Sequence, residues 1–126
     1  MDAIETTTSL PMDAAEARVR VSLAEEGFGI LTEIDVAATL KTKLGIEREA
    51  LKILGACNPT LAHQALELDD RFALMMPCNV VLEPAPGGGT KVSVADPRSF
   101  GSGPQFEAIA INASQRITRA LDALAR

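Results

Sequence analysis

Apolar residues along this chain recur at two spacings, and capping or turn residues mark most of the switches between them. This alternation constrains the fold most. A period of two is a half-buried strand, and a period near 3.6 is an amphipathic helix. Phe28, Ile30, Thr32 and Ile34 fall on one side of an alternating run, with Leu31 and Glu33 on the other. Leu51, Ile53, Gly55 and Cys57 share one side of a second run, and Cys78, Val80 and Leu82 share one side of a third. Lys91 to Ala95 is a further strand, joined to the third by Pro84-Ala85-Pro86-Gly87-Gly88-Gly89-Thr90, a loose hairpin connection. The threonine-rich stretch Ala3 to Thr8 leans towards a first strand within an N-terminal segment of about ten residues.

Helix signals stand between these strands. Asp13 and Glu16 read as a capping box that opens a helix to about Glu26. Its stripe is Ala15, Val19 and Leu23, widened by Val21 and Ala24, and Gly27 takes the left-handed terminal position. Asp35 caps a second helix with Val36, Leu40 and Leu44 at steps of four, closed by Gly45. Asn58 followed by Pro59 starts a third, running through Leu68 with Leu61, Ala62, Ala65 and Leu66 turned inward. Asp96-Pro97 ends the last strand and Gly101-Ser102-Gly103-Pro104 is a flexible link. The final helix, about Pro104 to Ala125, carries Phe106, Ile109, Ala113, Ile117, Ala120 and Leu124 as one stripe.

The order is β-α-β-α-β-α-β-β-α in a single domain over residues 1–126, with no internal repeat. It predicts an α+β fold, with helices packed on one face of a mostly antiparallel sheet. A chain of 126 residues can bury a proper core without staples.

Composition narrows the function classes. Aromatics are 3% of the chain, all phenylalanine, so there is no Trp or Tyr platform for stacking bases. A net charge of −5, with basic residues scattered, argues against a nucleic-acid partner. The acidic start Met1-Asp2-Ala3-Ile4-Glu5 is no signal peptide, and no apolar run reaches membrane-spanning length. The expectation is a cytoplasmic protein with no membrane partner, whose two cysteines are free thiols.

Those two cysteines sit in matching contexts, Gly55-Ala56-Cys57-Asn58-Pro59 and Met76-Pro77-Cys78-Asn79. Each lies at a strand boundary near a proline and is followed by asparagine. Cys57 precedes a helix N-terminus, where partial positive charge lowers a thiol's pKa. The plainer reading is a small apolar side chain packed beside Leu51 and Ile53. If the two strands pair, the sulfurs approach each other. Cys57, Asn58, Cys78 and Asn79 are the candidate ligand-binding residues. No metal site is expected, since His63 falls on the polar face of its helix and no closely spaced ligand pair exists. No residue identifies a cofactor or a catalytic group. Asp35 is accounted for as a cap and Glu33 as the outer side of a strand. Gly87-Gly88-Gly89 precedes a strand rather than a helix, so it reads as a hairpin tip and not a phosphate loop.

Four segments taken together resemble the DUF302 family: Phe28 to Asp35, Ile53-Leu54-Gly55-Ala56-Cys57-Asn58-Pro59 with Ala62 and Ala65, Met75 to Val81, and Val94-Ala95-Asp96-Pro97. The likeness runs from about the first helix to Pro97, with a compatible final helix. Members are small bacterial and archaeal proteins of unestablished function. The resemblance implies a curved antiparallel sheet of the TATA-binding-protein-like kind with helices on one face. It also implies small homo-oligomers, a homodimer being the simplest. Many members carry histidine directly after the aspartate corresponding to Asp35; here the residue is Val36.

Three readings follow. The leading one is a small-molecule-binding module with a pocket between sheet and helix at Cys57, Asn58 and Cys78. The second is a thiol-dependent enzyme or redox sensor using Cys57, with Cys78 resolving. The third is a structural or interaction protein.

Overall fold

The computed structural model describes residues 2–125. Its strands are β1 (Ala3–Thr8), β2 (Gly29–Asp35), β3 (Lys52–Cys57), β4 (Cys78–Pro84) and β5 (Thr90–Ala95). Its helices are α1 (Met12–Glu25), α2 (Val36–Leu44), α3 (Pro59–Leu68) and α4 (Pro104–Ala125). Two 3-10 turns, Asp70–Met75 and Pro97–Ser99, complete the chain. The element order is the one the periodicity predicts.

The strands form one antiparallel sheet in the order β1-β5-β4-β3-β2. β4 and β5 pair as a hairpin, and β1 returns to the far edge, where Ala3 faces Ala95 and Thr8 faces Thr90. Leu54, Ala56, Val80, Leu82, Val92 and Val94 share the buried face and pack against α1 and α4. The helices contribute Ala15, Val19 and Leu23 from α1, and Ala113, Ile117, Ala120, Leu121 and Leu124 from α4. Burial of these aliphatic groups, each worth about 1.5–3 kcal/mol for a Val or Leu side chain, supplies the main stabilisation.

Several local expectations are corrected. Helix α1 begins at Met12 with Pro11 as its cap residue, so Asp13 lies inside the first turn and forms no capping box. The Pro11 carbonyl already accepts from the Ala15 amide at 2.9 Å, and Asp13 Oδ1 meets only the adjacent Ala14 amide. Asp13 still lies near the helix N-terminus, where negative charge is favoured. Val21 and Ala24 do not widen the buried stripe; both are exposed, and Ser22 is buried instead. Ser22 Oγ donates to the Val19 carbonyl, which removes the cost of burying that hydroxyl.

Strand β2 carries an irregularity in its pairing between Ile30 and Thr32. Ile30 faces Ala56 across the ladder, but beyond the bulge Glu33 faces Leu54 while Thr32 and Ile34 face Gly55 and Ile53. Ile30 therefore lies on the helix-covered face and Ile34 on the opposite one. An extra residue in one strand inverts the alternation after it. The same inversion turns Glu33 towards α1, where Arg20 Nη2 donates to it at 2.8 Å and the Lys52 ammonium bridges it to Glu16.

The stripe on α2 is correctly spaced but buries nothing: Leu44 is 66% exposed and no residue of the helix is buried. Its ends are nevertheless well made. Asp35 Oδ1 accepts from the Ala38 amide, and Gly45 closes the helix in the left-handed conformation. Among the described residues, no helix is long and apolar enough to cross a membrane.

Candidate functional site

At the end of the sheet where β3 stops and β4 starts, the packing leaves a hollow of about 90 Å³. Its floor is Ala56 and Cys78, opposed across the β3–β4 ladder. Leu61, Ala62 and Ala65 of α3 form one wall, and Phe106, Ile109, Ala110 and Ala113 of α4 another. Phe72, Met75, Met76 and Pro77 close it from the segment between α3 and β4. All four phenylalanines of the chain, Phe28, Phe72, Phe100 and Phe106, line this one space. Phe72 and Phe106 stack, with ring centroids 4.7 Å apart and planes inclined by 10°.

Each wall is held by local chemistry. Asn58 caps α3: its Oδ1 accepts from the Leu61 amide at 3.2 Å, and Pro59 fills the first turn. Its Nδ2 donates to the Glu26 carbonyl at 3.4 Å, at the end of α1. Arg116 Nη1 donates to that same carbonyl, and Arg119 holds the Glu26 carboxylate at 2.9 Å. One residue thus ties α1, α3 and α4 together beside the hollow. Gly27 follows in a left-handed conformation (φ 87°), and a Cβ there would lie 2.9 Å from Asn58 Nδ2. On the α4 side, Asp96 is buried and its carboxylate takes a paired contact from Arg98, with Nη2 at 2.7 Å. That pairing holds the Asp96 carboxyl below its ordinary value.

Three of the four residues singled out from the sequence, Cys57, Asn58 and Cys78, line the hollow. Asn79 does not. It faces Gly55 across the ladder, one residue out of phase with Cys78, so it points to the opposite face and is exposed. Asn58 reaches the site with both ends of its amide already engaged, so its role there is architectural. Both cysteines are free and partly buried. Cys78 shares the core face with Ala56 and Val80, and Cys57, the last residue of β3, borders the same hollow from beyond the last β3–β4 pair. Burial first, and the charge of Cys57 second, push the Cys78 thiol above its ordinary value. Gly55 itself admits no side chain, because a Cβ would overlap Thr32 Oγ1 and lie 2.7 Å from Pro77 Cγ.

The remaining sequence candidates lie elsewhere. His63 is on the surface, 75% exposed, with Nε2 3.9 Å from a Glu67 carboxylate oxygen. Asp35 is a helix cap, as its position indicates. Gly87, Gly88 and Gly89 all have positive φ and form the hairpin tip. Sequence reasoning missed the segment from Phe72 to Pro77, together with Pro97 and Phe100. The available signal was the scarcity of aromatics, since four phenylalanines in an otherwise aliphatic chain mark where large rings are needed.

The model of the domain of unknown function DUF302 matches residues 4–124. The chain belongs to the DUF302 family. A crystal structure of an uncharacterized conserved DUF302 protein from Bacillus stearothermophilus superposes with a TM-score of 0.88 at 28% identity, covering 98% of each chain. Among curated proteins nothing matches. The DUF302 architecture expected from the four sequence segments, an α+β domain built on an antiparallel sheet, is thus the one this chain adopts.

Proposed function

We propose that this DUF302 domain is a binding module for a small neutral apolar molecule, or for the apolar end of a larger one, taken up in the hollow at Cys78. The convergence of every aromatic ring in the chain on one unfilled space carries this reading. Protein interiors are packed to crystal-like density, and an apolar void forfeits contacts that a ligand restores. Asn58 is the only lining residue whose side chain bears nitrogen or oxygen, and its amide is engaged. A charged ligand group buried here would find no free partner and would be strongly disfavoured. The size is below the roughly 150 Å³ of an apolar cavity that accommodates benzene. Leu68, Leu74 and Met75, exposed by 39%, 76% and 47%, add apolar surface on and beside the segment that closes the hollow.

A thiol-dependent activity is the weaker reading. Burial pushes the Cys78 thiol above its ordinary value, which disfavours it as the resolving nucleophile. Two free thiols fit the reducing cytoplasm. The net charge of −5 argues against a nucleic-acid partner.

The test uses xenon, a probe smaller than benzene, followed by methyl NMR. It should perturb the methyls of Leu61, Met76 and Ala110 and raise the melting temperature. Ala110→Leu, which fills the space, should abolish both effects while the protein stays folded. Methyls that stay unmoved at saturating probe would overturn the proposal.

A further inference from the structure

Sulfur is concentrated in one part of this chain. There are two cysteines and four methionines, and both cysteines border the hollow together with Met75 and Met76. Ala56 and Cys78 are directly opposed across the β3–β4 ladder, where Cα atoms stand about 4.5–5.5 Å apart, and Cys57 is the next residue of β3. Burial, and then the charge of Cys57, raise the Cys78 thiol, so the two sulfurs lie within electrostatic reach of each other. Met76 stands two residues before Cys78, and Met75 ends the 3-10 turn that leads into it.

Core packing accounts for a buried methionine, since its flexible side chain fills gaps. It does not account for Met75, which lines the hollow and is 47% exposed. Met76, Cys57 and Cys78 are only partly buried behind it. A thioether thus stands at the mouth of the hollow, with two thiols and a second thioether further in.

We infer that these four residues form a site for one soft monovalent metal ion, Cu(I), held by the thiolates of Cys57 and Cys78 and the thioethers of Met75 and Met76. The donors select the ion. Thiolate and thioether sulfur suit Cu(I), whereas zinc takes cysteine with histidine or carboxylate, and magnesium and calcium take oxygen. No histidine, aspartate or glutamate lines the hollow. Among the described residues, no three or more His, Cys, Asp or Glu side chains gather to hold a metal, so the methionines complete the donor set.

The charges also fit. As each copper–thiolate bond forms, the thiol proton leaves to water, so the first thiolate neutralises the ion and the thioethers add no charge. The second thiolate leaves a single negative charge on the unit. Cys57 directly precedes Asn58, the cap of the ten-residue helix α3, and the partial positive charge of that N-terminus favours it there. This inference does not rest on the uptake of an apolar molecule. Xenon reports the empty volume and Cu(I) reports the sulfurs, so either can fail without the other.

Anaerobic titration of the full chain with Cu(I) against a chromophoric chelator, with copper-edge X-ray absorption and methionine methyl NMR, tests this. One ion per chain should bind with sulfur alone in its shell. The methyls of Met75 and Met76 should shift, while that of Met12, packed against the core, stays in place. Cys78→Ser should weaken binding by roughly a hundredfold, and Met76→Leu, which keeps the volume, by roughly tenfold. A nitrogen or oxygen neighbour in the copper shell overturns the inference, as do unmoved Met75 and Met76 methyls. So does an affinity that Met75→Leu and Met76→Leu together leave unchanged, because the thiols would then bind copper alone. If a variant fails to fold, the absorption and NMR spectra of the wild type decide.

Discussion

Helices α2 and α3 start in the same way. Each follows directly on a strand of the sheet, and each is capped by a side chain that accepts from the third helical amide, Asp35 for Ala38 and Asn58 for Leu61. Each carries an apolar stripe at helical spacing. Yet α3 buries Leu61 and Ala65 against the core and α2 buries nothing. The difference lies beyond the cap. Asn58 has a second hydrogen bond, to the end of α1, and α3 lies against α4; Asp35 bonds only within its own turn and strand end. A cap sets where a helix begins, whereas burial depends on whether another element is present to receive its apolar side.

The largest effect expected from this contrast is in side-chain truncation. Leu61→Ala should destabilise the fold by about 2–4 kcal/mol, since it removes buried methyls beside an existing void. Leu44→Ala should change the stability of the dilute protein by less than about 0.5 kcal/mol, as surface changes do. Urea unfolding at micromolar concentration measures both, and equal losses would break the comparison. Gly55→Ala comes next, at about 1–3 kcal/mol, because the added methyl meets the Thr32 hydroxyl and the Pro77 ring, which must shift to admit it. Thr32→Ala should recover part of that loss, and a neutral Gly55→Ala would mean that Pro77 is loosely held.

The two caps sharpen the contrast further. Asn58→Ala should cost about 1–2 kcal/mol and Asp35→Ala about 0.5–1 kcal/mol, because only the former also unties α1. Thermal melts of the pair decide, and indistinguishable values would show that the link to Glu26 contributes nothing.

The smallest effect concerns pH. Arg98 holds the Asp96 carboxyl below its ordinary value in the folded state. The folded state then binds this proton less readily than the unfolded chain, so the contribution is present above the unfolded value of about 3.9 and is lost as pH falls through the folded value. Urea midpoints taken from pH 7 to pH 2.5 should fall less for Asp96→Asn than for the wild type over that acid range. A parallel fall would assign the acid sensitivity to other carboxylates.

Much of the fold was legible in the residues. The Asn58-Pro59 start, the Gly27 and Gly45 stops, the hairpin around Pro84 to Thr90 and the stripe of α4 each rest on contacts within a few positions. Of the candidate site, Cys57, Asn58 and Cys78 were legible because strand ends abut helix starts. Asn79 lies outside the hollow, because it follows Cys78 in the chain and consecutive strand residues point to opposite faces. The bulge in β2 left no clear mark, since Leu31 alternates normally until the register with β3 is known.

What the sequence by itself determined is therefore local: periods, caps, turns and the order of elements, each decided by hydrogen bonds and rotamers close along the chain. Tertiary structure decided which side of β3 meets the helices, that α2 buries none of its side chains, and that Phe28, Phe72, Phe100 and Phe106 surround one hollow. Those outcomes depend on contacts between residues tens of positions apart, and burial has no fixed spacing that a single chain can display.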